Sequence, residues 1–172
     1  MMANGRNQRL RFKRRRRSET DYPRRMRMLR GGLPRAVVRI SNKQVTCQLV
    51  SFTTEGDRVL VSVTGKNLVE NHKWPSDASR KSVPACYMAG FLLGTQALAA
   101  GHKNAILDIG LAASTSGGRI YAALKGMVEA GLDMPHSDFV LPSDERANGE
   151  HIDKSIAKAV ATTKKSIGGS KK

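Results

Sequence analysis

The residues nearest to catalysis are Asp108-Ile109-Gly110 and the loop after them, Leu111 to Gly118, which ends at Arg119. An acid at a strand end, then glycine, then hydroxyls, is a pattern that phosphate-handling enzymes use. A phosphoryl-transfer enzyme built on Asp108 is therefore one reading. It lacks a Walker-type Gly-Lys-Ser/Thr and a second acidic cluster for Mg²⁺. The loop also leads into a helix, whereas a kinase-type phosphate loop joins two strands. The same residues without a reaction describe an anion site. Backbone N–H groups at a helix N-terminus, with Ser114, Thr115, Ser116 and Arg119, suit a phosphate. A plain tight turn with a Ser/Thr cap is the alternative.

The other reactive side chains form no constellation. His72, His102, His136 and His151 are scattered and show no metal-ligand spacing. Cys47 and Cys86 pair neither with each other nor with a histidine in any metal pattern, and read as buried thiols in a reducing cytosol. No catalytic residue, metal or cofactor is expected.

Charge carries the stronger message. The 172 residues hold 30 Lys and Arg against 14 acids, a formal charge of +16, which calls for a polyanionic partner. Half of the cations lie in residues 1–43, where Glu19 and Asp21 are the acids. Arginine dominates there: Arg6, Arg9, Arg11, Arg14, Arg15, Arg16, Arg17, Arg24 and Arg25, with Lys13 among them. Arginine forks onto phosphates and stacks on bases, whereas the lysines of the C-terminal tail act as flexible point charges. The Arg14–Arg17 block is expected to repel itself and stay extended until a counter-charge arrives.

The elements that must position these residues follow from the pattern. Ala36–Ile40 and Gln44–Phe52 read as a hairpin around Ser41-Asn42-Lys43, with Asn42 suited to a left-handed turn position. Val37, Val45 and Leu49 are expected inward, and Arg35, Arg39, Lys43, Gln44 and Gln48 outward. A short helix is expected after Thr20 or Asp21, with Tyr22, Met26 and Leu29 on one face and Gly31-Gly32 as its end. Arg58–Thr64 alternates as a third strand. Residues 65–83 read as a polar surface connection with Trp74 as an anchor. Pro84–Ala100 reads as a core helix whose small residues allow close approach to a sheet, too short to favour a membrane span. Asn104–Gly110 reads as a buried strand that can join in parallel, Arg119–Ala130 as a second helix, and Glu145–Lys165 as a last helical stretch. Residues 167–172 are expected to be disordered. The N-terminus has no apolar core of a signal peptide. The fold class is mixed α/β (α+β): one mostly antiparallel sheet with packed helices, a basic N-terminal extension and a flexible C-terminal tail. Expected units are an arginine-rich extension over 1–32, a globular domain over 33–145, and a helix with a lysine-rich tail over 146–172.

Several segments together carry a family resemblance. RISNKQVTCQLV, PACYMAGFLLGTQAL, AILDIGLAASTSGGRIYAALKGMVEAGLDMPHSD and LPSDERANGEHI resemble the archaeal form of universal large-subunit ribosomal protein eighteen, a 5S rRNA-binding family. The resemblance implies a non-enzymatic part of the central protuberance. Its implied partners are 5S rRNA, 23S rRNA and the other 5S-binding large-subunit ribosomal protein, with no membrane and no small-molecule substrate. It implies that Arg35, Arg39, Ser41, Asn42, Lys43 and Gln48 form the hairpin contact. The arm around Arg14–Arg17 would penetrate rRNA, and Ser114, Thr115, Gly117 and Arg119 would form a third contact. Asp77–Ser82 and the lysine-rich end depart from the pattern. A general nucleic-acid-binding protein remains the other non-enzymatic alternative.

Overall fold

Alternation of apolar and polar residues from Pro34 onward builds the sheet of this computed structural model, which describes residues 9–169. Strands β1 (Arg35–Ile40) and β2 (Val45–Thr53) pair antiparallel, from Arg35 opposite Val50 to Ile40 opposite Val45. Strand β3 (Gly56–Thr64) continues the meander. Strand β4 (Ile106–Asp108) lies parallel to β1, giving the order β3-β2-β1-β4. The parallel fourth strand and the mixed α/β class are as the sequence leads one to expect.

The hairpin turn is made differently. Ser41 Oγ accepts the N–H groups of Lys43 and Gln44 at 3.2 and 3.1 Å and donates to the Gln44 carbonyl at 2.9 Å. Asn42 does not have positive φ. A serine side chain closes the turn, so no left-handed residue is needed.

One sheet face is core: Ala36, Val38, Val45, Cys47, Leu49 and Val63 are almost fully buried. Strand alternation puts Val37 on the opposite face, against expectation, together with Arg39, Thr46, Gln48 and Ser62. Helix α4 (Val83–Ala99), capped by Ser82, covers the core face. Its glycines Gly90 and Gly94 approach helix α5 (Arg119–Glu129) rather than the sheet. A Cβ on Gly90 would lie 2.0 Å from the Ala123 carbonyl oxygen, and one on Gly126 would lie 2.1 Å from that of Tyr87. The two backbones touch, and no side chain fits between them.

Three further boundaries differ from the sequence reading. The expected connection after β3 contains helix α3 (Gly65–Asn71), because Thr64 and Asn67 form a reciprocal capping box and Leu68 is buried. Trp74 is buried, as an anchor should be. The expected single C-terminal helix is two, α6 (Asp144–Asn148) and α7 (Lys154–Gly169). They are broken at Gly149, which has φ +83° and is pressed against Pro84 and Ile156. Helix α7 also runs past Lys165, because Val160, Thr163 and Ile167 are buried on its inner side. Residues 167–169 are thus helix, not disordered tail. Cys47 and Cys86 are free and buried, as expected.

Candidate nucleic-acid interface

Two short helices precede the sheet. Helix α1 (Lys13–Arg16) is one turn and helix α2 (Tyr22–Leu29) is two, and neither buries a residue. The arginine block is therefore helical, not extended. Local partners offset its repulsion: Arg14 Nε donates to Thr20 Oγ1 at 2.9 Å, Arg17 lies 3.8 Å from Glu19, and the Phe12 and Tyr22 rings sit 5.5 Å apart. Asp21 caps α2 by accepting from the Arg24 N–H. Met26 does not join Tyr22 and Leu29 on the inner face; it is 58% exposed, and Met28 takes its place.

Charge holds α2 to the sheet. Arg24 Nη1 donates to the Gly110 carbonyl at 2.8 Å, and Arg25 Nη2 donates to both Asp57 oxygens at 2.8 and 2.9 Å. Asp57 also accepts from Arg35 at 2.8 Å, and Arg35 reaches Asp108 at 2.6 Å. Arg39 completes the chain, with 3.0 Å to the Asp108 carboxylate and 2.6 Å to its carbonyl. Five residues from four segments thus alternate in sign, Arg25–Asp57–Arg35–Asp108–Arg39. Burial alone would raise both carboxyls. For Asp108 the hydrogen bond and charge of Arg39, the Gly110 N–H and Arg35 outweigh it; for Asp57, Arg25 and Arg35 do. Both are held below the ordinary carboxylate value.

This network corrects two expectations. Arg35 is only 3% exposed, because its register beside Ile106 and Val50 carries it between two carboxylates. It organises the surface from below and presents no guanidinium outward. Asp108 has its oxygens taken by Arg35, Arg39 and the Gly110 amide, so it is a structural post, not an open Mg²⁺ or nucleophile site. Gly110 serves the same post: at φ +64°, a Cβ there would lie 2.8 Å from the Arg39 guanidinium carbon. Among the described residues no group of three or more His, Cys, Asp or Glu could hold a metal, and no helix is long and apolar enough to cross a membrane.

Beside the network lies a cleft of about 870 Å³. Arg14, Arg24 and Arg25 reach it from the arm, Arg39 from β1, Thr115 and Arg119 from the loop and α5, and Arg146 from α6. Its apolar lining is Met28, Ile40, Ile109, Ala112, Ala113 and Ile120, and the acids Glu19, Asp21 and Asp108 also line it. Arm, hairpin and loop, far apart in the chain, thus meet at one place. Arg146 is the member that sequence reasoning missed. Its Nε donates to the Gly117 carbonyl at 3.1 Å, a contact across 29 residues with no local signal.

The remaining expected residues lie elsewhere. Ser114 pairs with the Tyr121 hydroxyl and Ser116 donates to the Phe139 carbonyl at 2.8 Å, so both shape the loop. Gly117, with φ +66°, bonds the Val140 carbonyl through its N–H. Ser41, Asn42 and Lys43 form the exposed hairpin tip, and Gln48 lies on the open sheet face beside Ser62 at 3.2 Å. Arg9, Arg11, Lys13, Arg15, Arg16 and Arg17 are exposed along the arm, outside the cleft. Arg6 lies outside the described residues.

The chain matches the model of a family described as "Ribosomal large subunit proteins 60S L5, and 50S L18" over residues 6–104 and 99–137. It is 45% identical to the large ribosomal subunit protein uL18 of Methanospirillum hungatei, over 88% of this chain and 85% of that protein. The proteins of the same name from Korarchaeum cryptofilum and Methanococcoides burtonii are each 44% identical over 88% of this chain, and 76% and 86% of their own lengths are covered.

Proposed function

The chain belongs to the family of large-subunit ribosomal proteins described as 60S L5 and 50S L18, and from that premise we propose that it binds 5S rRNA and helps attach it to 23S rRNA in the central protuberance. Membership makes it a structural constituent of the large ribosomal subunit, of archaeal type, acting in translation in the cytoplasm. The family is structural and not enzymatic. In the proposed assembly the chain lies beside the other 5S-binding large-subunit ribosomal protein.

The observation that carries the reading is the convergence of Arg14, Arg24, Arg39, Arg119 and Arg146 on one cleft beside an open sheet face. Folded RNA is recognised by shape, phosphates and 2′-hydroxyls more than by duplex base edges. A rigid sheet supplies register for such contacts, and a pre-docked arm supplies charge. The hairpin tip at Lys43 and the arginines of α1 extend the surface beyond the cleft.

The test is a titration of the full chain with transcribed 5S rRNA across a salt series. Specific binding is expected, with affinity falling on a log–log slope of about −0.7 to −0.9 per neutralised phosphate. Lys43→Ala combined with Arg119→Ala should weaken it while leaving the melting temperature unchanged, since neither residue is buried. Equal affinity for duplex DNA at moderate salt, or an affinity flat in salt, would show the reading to be wrong.

A further inference from the structure

The cleft has a composition that a phosphate backbone alone would leave half used. A run of phosphates would pair with its arginines but leave the apolar lining at Ile109, Ala112, Ala113 and Ile120 without a partner. An unstacked base has the complementary make-up: a flat apolar face, polar edges and an attached phosphate. Bases splayed from loops and bulges are stacked on arginine planes in sequence-specific RNA recognition.

The cleft also has a place for the phosphate. Helix α5 opens on it at Gly118, Arg119 and Ile120. No side chain caps that end, and the first N–H groups of a helix have no intrahelical acceptor. Arg119 stands at the helix start, and Arg146 is oriented by its bond to the Gly117 carbonyl. Arg39 is held over Gly110 by its bonds to Asp108, which presents its guanidinium to the cleft as a fixed plane.

We infer that this cleft receives one unstacked nucleotide of the bound RNA, its base on the Ile/Ala part of the lining against arginine planes and its phosphate at the N-terminus of α5. The inference rests on the RNA-binding reading above and adds which part of the RNA enters, and where. The arginines of the exposed arm and the hairpin tip then hold flanking phosphates.

The experiment uses the full chain and 5S rRNA transcripts carrying 2-aminopurine at each unpaired position in turn. Wild-type protein should raise the fluorescence of a single position as that base leaves its stack. Ala113→Phe crowds this part of the lining without changing any charge. It should abolish that signal and weaken affinity about tenfold or more, the usual size of a lost base-stacking contact, with the salt slope falling by no more than the roughly 0.7–0.9 of one phosphate. Ala113 is exposed, and a thermal melt checks that the variant stays folded. If it does not, Arg146→Ala takes its place and should lose the same position's signal. Wild-type affinity and an intact signal in the variant would overturn the inference. So would an absence of any unstacking signal while 5S binding stays specific, and so would equally tight calorimetric binding of free AMP or GMP. Failure of the wild-type chain to bind 5S rRNA at all would instead refute the functional reading.

Discussion

The first and last helical segments among the described residues are both basic, yet they are attached by opposite means. Helices α1 and α2 bury no residue and are held by arginines on Asp57 and the Gly110 carbonyl. Helix α7 carries lysines on its outside but sinks Val160, Thr163 and Ile167 against the body. Even its charge is used inward. Lys164 donates to the Tyr87 hydroxyl at 2.7 Å and to Glu129 at 3.0 Å, and lies over the Tyr87 and Phe91 rings. Net charge therefore does not distinguish an arm held by ion pairs from a helix held by burial. Burial does: α2 has apolar residues at helical spacing yet buries none, whereas α7 sinks Val160, Thr163 and Ile167 with Ile156 half-buried.

The comparison breaks most readily at Ile167. Ile167→Ala should cost about 2–5 kcal/mol by losing buried surface and leaving a cavity, read as a lower urea midpoint. A midpoint equal to wild type would show that α7 is as loosely attached as the arm.

Asp57→Asn tests the charged attachment. It should cost about 1–2 kcal/mol, since Asp57 is a third exposed. It should also open α2 to trypsin at Arg24 and Arg25 while α7 stays protected. The pH dependence has a definite sign. Asp57 and Asp108 are both depressed in the folded protein, so their stabilisation is present above about pH 4, the ordinary carboxylate value. It is lost as pH falls through their lower folded values. Asp57→Asn should flatten that acid limb of a stability–pH curve.

Lys164→Met should cost about 1 kcal/mol, because it keeps the aliphatic packing and removes the bonds to Tyr87 and Glu129. Burial would lower Lys164, but Tyr87 and Glu129 outweigh it and raise it. Its contribution is thus complete at neutral pH and is lost as pH rises through the folded value. Burial and the bond to Glu129 push Tyr87 up to about 12, so the partner stays neutral over much of that range. A double-mutant cycle with Tyr87→Phe should show the coupling.

Removing residues 1–20 should change stability least, by about 0.5 kcal/mol or less, because the described part of that segment buries nothing. Its effect should appear in RNA instead, as a smaller salt slope and poorer incorporation into the large subunit. A large loss of stability would erase the contrast between the ends.

What was legible in the sequence was what has a local cause. The hairpin, β3, α4 and α5 each carry their own alternation, capping serine or terminating glycine. The parallel β4 followed from an apolar run placed after a helix. What was not legible depends on meetings across the chain. Arg35 looks like any outward strand residue until β4, 73 positions later, sets Asp108 beside it. Gly90 and Gly94 of α4 face α5, not the sheet, and only the packed backbones show which. The Thr64–Asn67 capping box was present in the letters but was masked by the polar residues around it. Of the expected contacts, Arg14, Arg24 and Arg25 of the arm, Arg39 of β1, and Thr115 and Arg119 at the loop meet in one cleft, while Arg146 entered it without any sequence cue.

The two buried thiols have a practical consequence. Cys47 lies near the start of β2 and Cys86 in the first turn of α4, on facing layers of the core. Burial raises both, Cys86 to about 12, and so suppresses the thiolate that an alkylating reagent needs. Neither should be labelled unless sheet and helix separate. The native molecule therefore carries its own clock: the rate of alkylation would time the opening of the core, silent to every motion of the arm outside it.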